Sequence, residues 1–236
     1  MRLDKLFSTT ATATRSEAAK AARAGQITVN GVPVRRADVQ VDPERDSITY
    51  CGRPVVYKPF RYVLLNKPDG VVSATEDGKD RTVLDLLPPL YTTLGLFPCG
   101  RLDKHTLGLM LLTNDGELSH RLLSPRRHVQ KRYAFRCKFP LTEEECARFR
   151  GGLVLEDGYE TKPAEIELFE DHHSGIITLV EGKYHQIKRM LESLHNQITY
   201  LERISFGPLA LPAALGRGEW RELTPEEEAA LKDAAK

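Results

Sequence analysis

The sequence predicts an α+β protein made of two domains. Its length of 236 residues suits two modest domains, each with a hydrophobic core. The first fifty residues carry two helix signals and then a hairpin signal. The rest of the chain alternates short apolar runs, which end at turn residues, with helical segments. We therefore expect domains at residues 1–52 and 61–236, joined by a linker at 53–60 that contains two prolines.

The predicted N-terminal domain has a simple order of elements. Residues 2–7 place leucine and phenylalanine side chains on one face of a short helix. A second helix, rich in alanine, is expected to begin at the potential N-cap Ser16 and to end near Gly25. The dipeptide Asn30-Gly31 then predicts a tight hairpin turn, because these two residues accept the positive φ angles that such a turn requires.

The larger domain is predicted from its apolar runs and its helix caps. Pro-Asp-Gly ends the first strand, and two prolines must end the first short helix. The helix that begins near Thr142 has a potential capping box. The predicted strands are residues 61–67, 109–112, 131–136, 164–169, 176–180 and 198–206. The predicted helices are residues 83–87, 115–123 and 142–151, a segment with an apolar stripe from 187 to 194, and a C-terminal helix from 224.

Composition excludes several classes of protein. The chain is 41% apolar and 28% charged, and no run approaches the roughly 18 apolar residues of a membrane span, so we expect a cytoplasmic protein. Its four cysteines form no C-x-x-C pair, and its seven histidines lack metal-site spacing, so no metal is expected.

Net charge is only +1, but the cations are clustered. Residues 1–58 contain ten Lys and Arg against six Asp and Glu, and residues 101–136 contain eight against three. Such clustering is typical of a protein with a side that faces nucleic acid, although chance clustering on a solvated surface gives the same pattern.

The stretch Gly100–Gly116, GRLDKHTLGLMLLTNDG, contains the strongest candidate for a catalytic residue. Asp103 stands between Arg101 and Lys104 in a loop that enters the predicted strand at 109–112. A loop that joins a rigid strand can hold a carboxylate in a fixed orientation, and neighbouring cations suit work on a polyanion. From the residues alone, a solvated loop with a local ion pair remains the alternative.

Three phrases together resemble a known family. They are GRLDKHTLGLMLLTNDG at 100–116, YVLLNKPDGV at 62–71 and EGKYHQIKRM at 181–190, and they resemble the motifs of the RsuA-type RNA pseudouridine synthases. Leu107 departs from the pattern, which usually has a small polar residue there. The resemblance implies a catalytic domain with a mixed, mainly antiparallel sheet and flanking helices, and a reaction without a cofactor.

The first fifty residues resemble an S4-type RNA-binding domain. The likeness rests on Arg2-Leu3-Asp4-Lys5, on Arg15-Ser16-Glu17-Ala18 and on the segment Gly25–Gly31. Such a domain recognises folded RNA through its shape and its phosphates. Without the resemblance, the same residues describe a small α+β domain with a mixed-charge surface.

The resemblance also implies roles for site residues. Asp103 corresponds to the catalytic carboxylate, Lys188 to a cation that approaches it, and Tyr133, in the K-x-Y phrase, to the active-site tyrosine. Ile204 is expected as an apolar wall of the pocket. Arg101 is expected either to fill the gap that the flipped base leaves or to bind phosphate, and Lys67 either faces RNA or is simply exposed. The expected RNA-binding residues are Arg101, Lys67, Arg126, Arg127, Lys131, Arg2, Arg15, Lys20 and Arg23.

The expected reaction is the conversion of one uridine to pseudouridine in ribosomal RNA, with the small-subunit (16S) RNA or a partly assembled subunit as substrate and the protein acting as a monomer. The same reaction on large-subunit (23S) RNA stays open, as does a non-catalytic ribosome assembly factor of the S4 type. A glycoside hydrolase fits least, because that chemistry normally uses two carboxylates and the motifs offer one.

Overall fold

A computed structural model describes residues 1–124, 127 and 129–236. The described chain forms two compact units. Unit 1 comprises Met1–Arg61 and Leu84–Phe97, and unit 2 comprises Tyr62–Val83 and Pro98–Lys236. The predicted α+β class, with a small N-terminal module and a larger domain, is confirmed.

Unit 1 is a small α/β module. Its elements are α1 (Leu3–Thr9), α2 (Arg15–Arg23), β1 (Ile27–Val29), β2 (Val32–Pro33), β3 (Ile48–Tyr50), β4 (Arg53–Pro54) and α3 (Pro89–Thr92). The strands form an antiparallel sheet in the order β2-β1-β3-β4. The hairpin prediction is confirmed, since Asn30 and Gly31 have φ angles of 53° and 79°. Thr14, rather than Ser16, caps α2 in a capping box with Glu17.

The predicted domain boundary differs from the structure in two places. Arg53 and Pro54, expected in the linker, form β4 and pair with β3. Pro54 lacks an N–H group, but an edge strand tolerates proline. The proline at position 54 was therefore not evidence that the linker begins at residue 53. In addition, residues 84–97 belong to unit 1 although they follow the first strand of unit 2. The helix expected at 83–87 is a single 3₁₀ turn at Leu84–Leu86.

Unit 2 is built on one large sheet. The short strand β6 (Phe97–Pro98) spans the boundary between the units. The other strands are β5 (Tyr62–Lys67), β7 (Leu107–Thr113), β8 (Lys131–Cys137), β9 (Glu165–Leu168), β10 (Ser174–Leu179), β11 (Ile198–Phe206), β12 (Leu209–Ala210) and β13 (Trp220–Glu222). The helices are α4 (Gly116–Leu123), α5 (Glu143–Gly151), α6 (Gln186–Glu192) and α7 (Pro225–Ala234).

The sheet order in the described chain is β13-β5-β7-β11-β8-β10-β9. The β7–β11 pair is parallel, and the other pairs along this order are antiparallel, which confirms the mixed, mainly antiparallel sheet. The described part of the chain contains no helix with the length and apolar character of a membrane span.

The centre of the sheet fixes the start of β7. Every residue of β5 is buried, and so is every residue of β7 after Leu107. Gly108 pairs with Arg203 of β11 so closely that a Cβ atom at position 108 would lie 2.3 Å from the Arg203 carbonyl oxygen. The buried Arg203 side chain in turn donates from Nε to the Leu109 carbonyl oxygen at 2.8 Å. The loop that precedes β7 therefore ends at a tightly packed position.

Candidate active site

Four segments of unit 2 line one open pocket. They are the loop that precedes β7, the middle of β8, the stretch from the end of β10 to the first turn of α6, and the middle of β11. The pocket is lined by Arg101, Leu102, Asp103, Thr106, Tyr133, Leu179, Gly182, Lys183, His185, Gln186, Ile187, Lys188 and Leu201. The structure thus brings together residues that are up to 100 positions apart in the sequence, and the predicted trio of Asp103, Tyr133 and Lys188 is among them.

Asp103 is paired with groups from α6 and its first turn. Lys188 Nζ lies 3.0 Å from Oδ2, and His185 Nε2 lies 3.5 Å from Oδ1. The Asp103 side chain is 28% exposed and that of Lys188 is 25% exposed, so both remain accessible from the pocket. A charge-assisted contact of this length fixes the orientation of the carboxylate while leaving it open to a substrate.

The neighbouring cation that the sequence placed beside Asp103 makes a different pair. Lys104 Nζ binds Asp80 Oδ1 at 2.7 Å, because residue 104 follows the carboxylate in a loop and points away from the pocket lining. His185 lies near Asp103 in its place. Sequence reasoning missed this role, although His185 belongs to the phrase EGKYHQIKRM.

Tyr133 forms a wall of the pocket. It lies on β8 between Ile177 of β10 and Arg203 of β11, and the residue is only 8% exposed. The predicted alternation along β8 is confirmed, since Tyr133 and Phe135 are buried while Arg132 and Arg136 are at least partly exposed. Tyr133 and Asp103 therefore line the same pocket, and a tyrosine there offers both an aromatic ring and a hydroxyl group.

Lys67 is buried, so its predicted direct contact with RNA is wrong. The residue is 0% exposed at the end of β5, where both faces of the strand are covered. Its Nζ donates to the carbonyl oxygens of Pro68 at 3.1 Å, Lys104 at 3.0 Å and Thr106 at 2.9 Å. Two of these carbonyls belong to Lys104 and Thr106, which follow Asp103 in the chain, so Lys67 holds the loop that carries the carboxylate.

Burial also changes the acidity of Lys67. It lowers the pKa of the ammonium group to about 8, although the charges of Asp69 and Asp103 partly oppose the shift. The same loop is held from a second side, where Ser73 Oγ donates to the Leu102 carbonyl oxygen at 2.7 Å and accepts from Leu102 N at 3.0 Å.

Lys131 is likewise buried, and the prediction that it contacts the RNA backbone is wrong. It is 8% exposed, its Nζ donates to the Val129 carbonyl oxygen at 3.1 Å, and the same atom lies 5.6 Å from the centre of the Phe206 ring. Burial, reinforced by the positive charge of Arg203, lowers the pKa of Lys131 to about 8.

The apolar lining of the pocket comes from Leu102, Leu179, Ile187 and Leu201, and Ile204 is not among the lining residues. The prediction for Ile204 is wrong because β11 has a register shift between Arg203 and Ser205, which interrupts the alternation of side chains at that position.

The turn into α6 is held by a buried carboxylate. Glu181 is 7% exposed, and its oxygens accept from Gln186 Nε2 at 2.5 Å, from Lys162 N at 2.8 Å and from Tyr159 Oη at 2.8 Å. Gln186 Oε1 accepts from Lys183 N at 2.9 Å. This network fixes the chain between Glu181 and the first turn of the helix that carries Lys188.

The remaining predicted RNA contacts lie in three places. Arg101 is exposed at the pocket, and Arg127 is exposed, with Nη1 donating to the Lys236 carbonyl oxygen. Arg126 lies outside the described residues. In unit 1 the structure places Arg2, Arg15 and Arg23 around a separate pocket, which it completes with two further arginines, Arg35 and Arg36. Lys20 is exposed on α2 but does not line that pocket.

Thr106 carries a buried hydroxyl group that has no hydrogen-bond partner among the described residues. An unsatisfied buried donor costs free energy, so we expect Thr106→Val to raise the free energy of unfolding by about 1 kcal/mol in urea denaturation. Thr113→Val is the matched control. Its Oγ1 is buried and accepts from Asp115 N at 3.0 Å, so its loss should lower stability by about 1 kcal/mol. Equal losses in both variants would contradict the prediction.

The profiles of two known protein families match this chain. The profile of the family described as RNA pseudouridylate synthase matches residues 61–193, and the S4 domain profile matches residues 1–46. A Bacillus subtilis protein named uncharacterized RNA pseudouridine synthase YtzG is 45% identical over 231 residues, covering 96% of both chains. The Escherichia coli protein named ribosomal small subunit pseudouridine synthase A is 38% identical over 233 residues, covering 98% of this chain and 100% of that one.

A solved structure described as a pseudouridylate synthase has the same fold. It matches with a TM-score of 0.69 and 36% identity, covering 98% of this chain and 99% of that chain. The resemblance read from the three motifs and from the N-terminal domain is therefore confirmed. The chain belongs to the RNA pseudouridine synthase family and carries an N-terminal S4 domain.

Proposed function

We propose that this protein converts one specific uridine of small-subunit ribosomal RNA to pseudouridine and that Asp103 is its catalytic carboxylate. The observation that carries the proposal is the Asp103–Lys188 pair, 3.0 Å between Oδ2 and Nζ, in a pocket with Tyr133 as its wall. The choice of RNA is supported by the full-length likeness to proteins named ribosomal small subunit pseudouridine synthase A.

The reaction is an isomerisation, so it needs no external reactant. The bond between uracil N1 and ribose C1′ breaks, the uracil turns, and its C5 bonds to C1′. C5 loses its proton and N1 gains one, so the atoms balance. Before this, the uridine must leave the base stack, which costs a few kcal/mol and is easiest in RNA that is incompletely folded.

Four residues of the pocket have distinct roles in this reaction. Asp103 acts on the uridine, either as a nucleophile or as a base at the sugar, and Lys188 keeps its carboxylate oriented. Tyr133 stacks on the flipped uracil and takes part in the removal of the C5 proton, since a phenol offers both a ring and a hydroxyl group. Arg101, exposed at the pocket, fills the gap in the RNA or binds phosphate.

The S4 unit supplies binding to the folded RNA. Its arginine pocket combines five guanidinium groups with two carboxylates, as Arg2 pairs with Asp4 at 2.7 Å and Arg36 pairs with Asp38 at 2.6 Å. Arg15 and Arg23 are exposed beside these pairs. Such a surface binds phosphates and weakens as salt concentration rises.

The test uses unmodified small- and large-subunit RNA, each free and in partly assembled particles, with the purified protein as a monomer. Pseudouridines are mapped by carbodiimide labelling and primer extension. A new stop at one position of the small-subunit RNA is the expected result. A stop in large-subunit RNA alone would contradict the choice of substrate, and binding without any stop would favour an assembly factor.

Tyr133→Phe separates the two roles of the tyrosine. The variant keeps the ring and removes the hydroxyl group, so we expect kcat to fall by about 10²-fold while KM for the RNA stays within a factor of about three. Tyr133→Leu, which also removes the ring, should raise KM as well. Wild-type kcat in Tyr133→Phe would exclude the hydroxyl group from proton transfer and leave stacking as the only role.

A further inference from the structure

An exposed aromatic side chain adjoins the pocket and is not used in the mechanism above. Tyr184 is 71% exposed, more than the other large hydrophobic residues that the structure leaves at the surface of the described chain. Its ring stacks on that of His185, with 3.8 Å between the centroids and 16° between the planes. His185 lines the pocket and lies 3.5 Å from Asp103, so the stacked pair extends from the reactive carboxylate to the solvent.

The backbone presents this pair in a fixed position. His185 has φ and ψ angles of 50° and 31°, a left-handed conformation that is uncommon for residues other than glycine. The Glu181–Gln186–Lys183 network holds the chain on one side, and Arg189 Nη1 lies 3.5 Å from the Tyr184 carbonyl oxygen on the other. A rigid turn therefore exposes one face of an aromatic ring and covers the other face with a second ring.

The surrounding charge indicates what this face receives. Lys183, Lys188 and Arg101 line the same pocket, and Arg189 follows in α6. Some of these cations are paired, with Asp103 and Asp157 as partners, but cations outnumber anions around the turn. A planar apolar face among cations suits an unpaired nucleobase, which has a planar ring and a phosphate on each side.

We propose that Tyr184, backed by His185, is a stacking site for the RNA base next to the target uridine. The inference rests on the proposed function. When the uridine leaves the stack, its neighbour loses a stacking partner, and the tyrosine ring provides a replacement. Stacking on a ring tolerates any base, so this site contributes affinity and position without reading the sequence.

The experiment compares Tyr184→Phe with Tyr184→Leu in the full-length protein, and Phe169→Leu is the control. Phe169 is an exposed aromatic residue of the same unit, 52% exposed, and does not line the pocket. Two short single-stranded uridine-rich RNAs carry 2-aminopurine on the 5′ or the 3′ side of a central uridine. Its fluorescence falls when it stacks on a ring, and this reading does not depend on turnover.

We expect one of the two RNAs to be quenched by the wild type, by Tyr184→Phe and by Phe169→Leu, but not by Tyr184→Leu. On the mapped ribosomal RNA, Tyr184→Leu should raise KM by about tenfold and leave kcat within a factor of about three. Replacing the neighbouring base with an abasic nucleotide should raise the KM of the wild type by the same factor. It should not raise the KM of Tyr184→Leu further.

Three results would overturn the proposal. The first is wild-type quenching and KM in Tyr184→Leu. The second is a loss in Tyr184→Leu that stays the same on the abasic RNA, and the third is the absence of quenching by the wild type with both RNAs. The failure of the proposed function is a separate result, in which the wild type forms no pseudouridine in any ribosomal RNA. If the wild type then still quenches the fluorescence of one RNA and Tyr184→Leu does not, the stacking site would be established.

Discussion

Asp103→Asn should reduce pseudouridine formation at least about 10³-fold while the affinity for RNA changes by less than about threefold. The amide has nearly the size of the carboxylate but neither attacks carbon nor accepts a proton. The loop should keep its shape, because Lys67 and Ser73 hold it through main-chain groups of the neighbouring residues and not through the Asp103 side chain. Tritium release from C5-labelled uridine in the RNA measures the rate directly.

Two variants make this result specific. Asp103→Glu keeps the charge but moves it by about one bond length, and we expect it to lose about 10²-fold, because a displacement of about 1 Å is enough to disrupt reaction geometry. Asp69→Asn removes a nearby carboxylate whose side chain is 67% exposed and pairs with His105, and it should retain wild-type activity. More than a tenth of wild-type activity in Asp103→Asn would exclude Asp103 as the catalytic group.

The sequence predicted the elements of the site better than their mutual contacts. Period-two alternation placed Tyr133 on the buried face of β8, and the apolar run predicted the buried strand after Asp103. Asp103 and Lys188 are 85 positions apart, however, and only the resemblance to a family brought them together. No local pattern predicts that residues 84–97 belong to unit 1, because long-range contacts determine to which unit a segment belongs.

The two lysine errors have a common physical cause. Lysine is rarely buried, so sequence reasoning assigned Lys67 and Lys131 to the surface. Yet Lys131 is in phase with Tyr133 and Phe135 on β8, and Lys67 ends a strand with both faces covered. Strand periodicity therefore predicts burial of Lys131, and the covering of both faces of β5 accounts for burial of Lys67. What the sequence did not reveal was an acceptor for either ammonium group. The carbonyl oxygens that accept from Lys67 come from loops whose shape the sequence does not specify.

Lys67→Met should lower both stability and turnover. Methionine fills the space but donates no hydrogen bond, so the carbonyl oxygens of Pro68, Lys104 and Thr106 lose a charged donor in a buried place. We expect the free energy of unfolding at pH 7 to fall by about 2–4 kcal/mol, measured by urea denaturation. The loosened loop should also lower kcat by about tenfold or more at a temperature where the variant remains folded.

The exposed Lys79→Met provides the matched control for the same chemical change, and neither its stability nor its kcat should change measurably. A stable Lys67→Met variant with low kcat would assign the lysine to loop positioning alone. A stable variant with full activity would contradict both roles, because the three carbonyl groups would then be satisfied without it.

The cost of Lys67→Met should depend on pH in a defined direction. Burial lowers the pKa of Lys67 from 10.5 to about 8, so between these values the unfolded chain binds a proton at this residue and the folded chain does not. The free energy of unfolding contributed by Lys67 is therefore constant below pH 8 and rises above it, by up to about 1.4 kcal/mol per pH unit. Burial also lowers the pKa of Lys131 and raises the pKa of the buried thiols, but these groups are present in both proteins and cancel in the difference. The difference in the free energy of unfolding between wild type and Lys67→Met should thus widen from pH 8 to pH 10.

A difference that stays constant would mean that the three carbonyl oxygens stabilise the ammonium ion enough to keep it charged in the folded protein. Lys67 would then hold the Asp103 loop with three hydrogen bonds throughout this pH range.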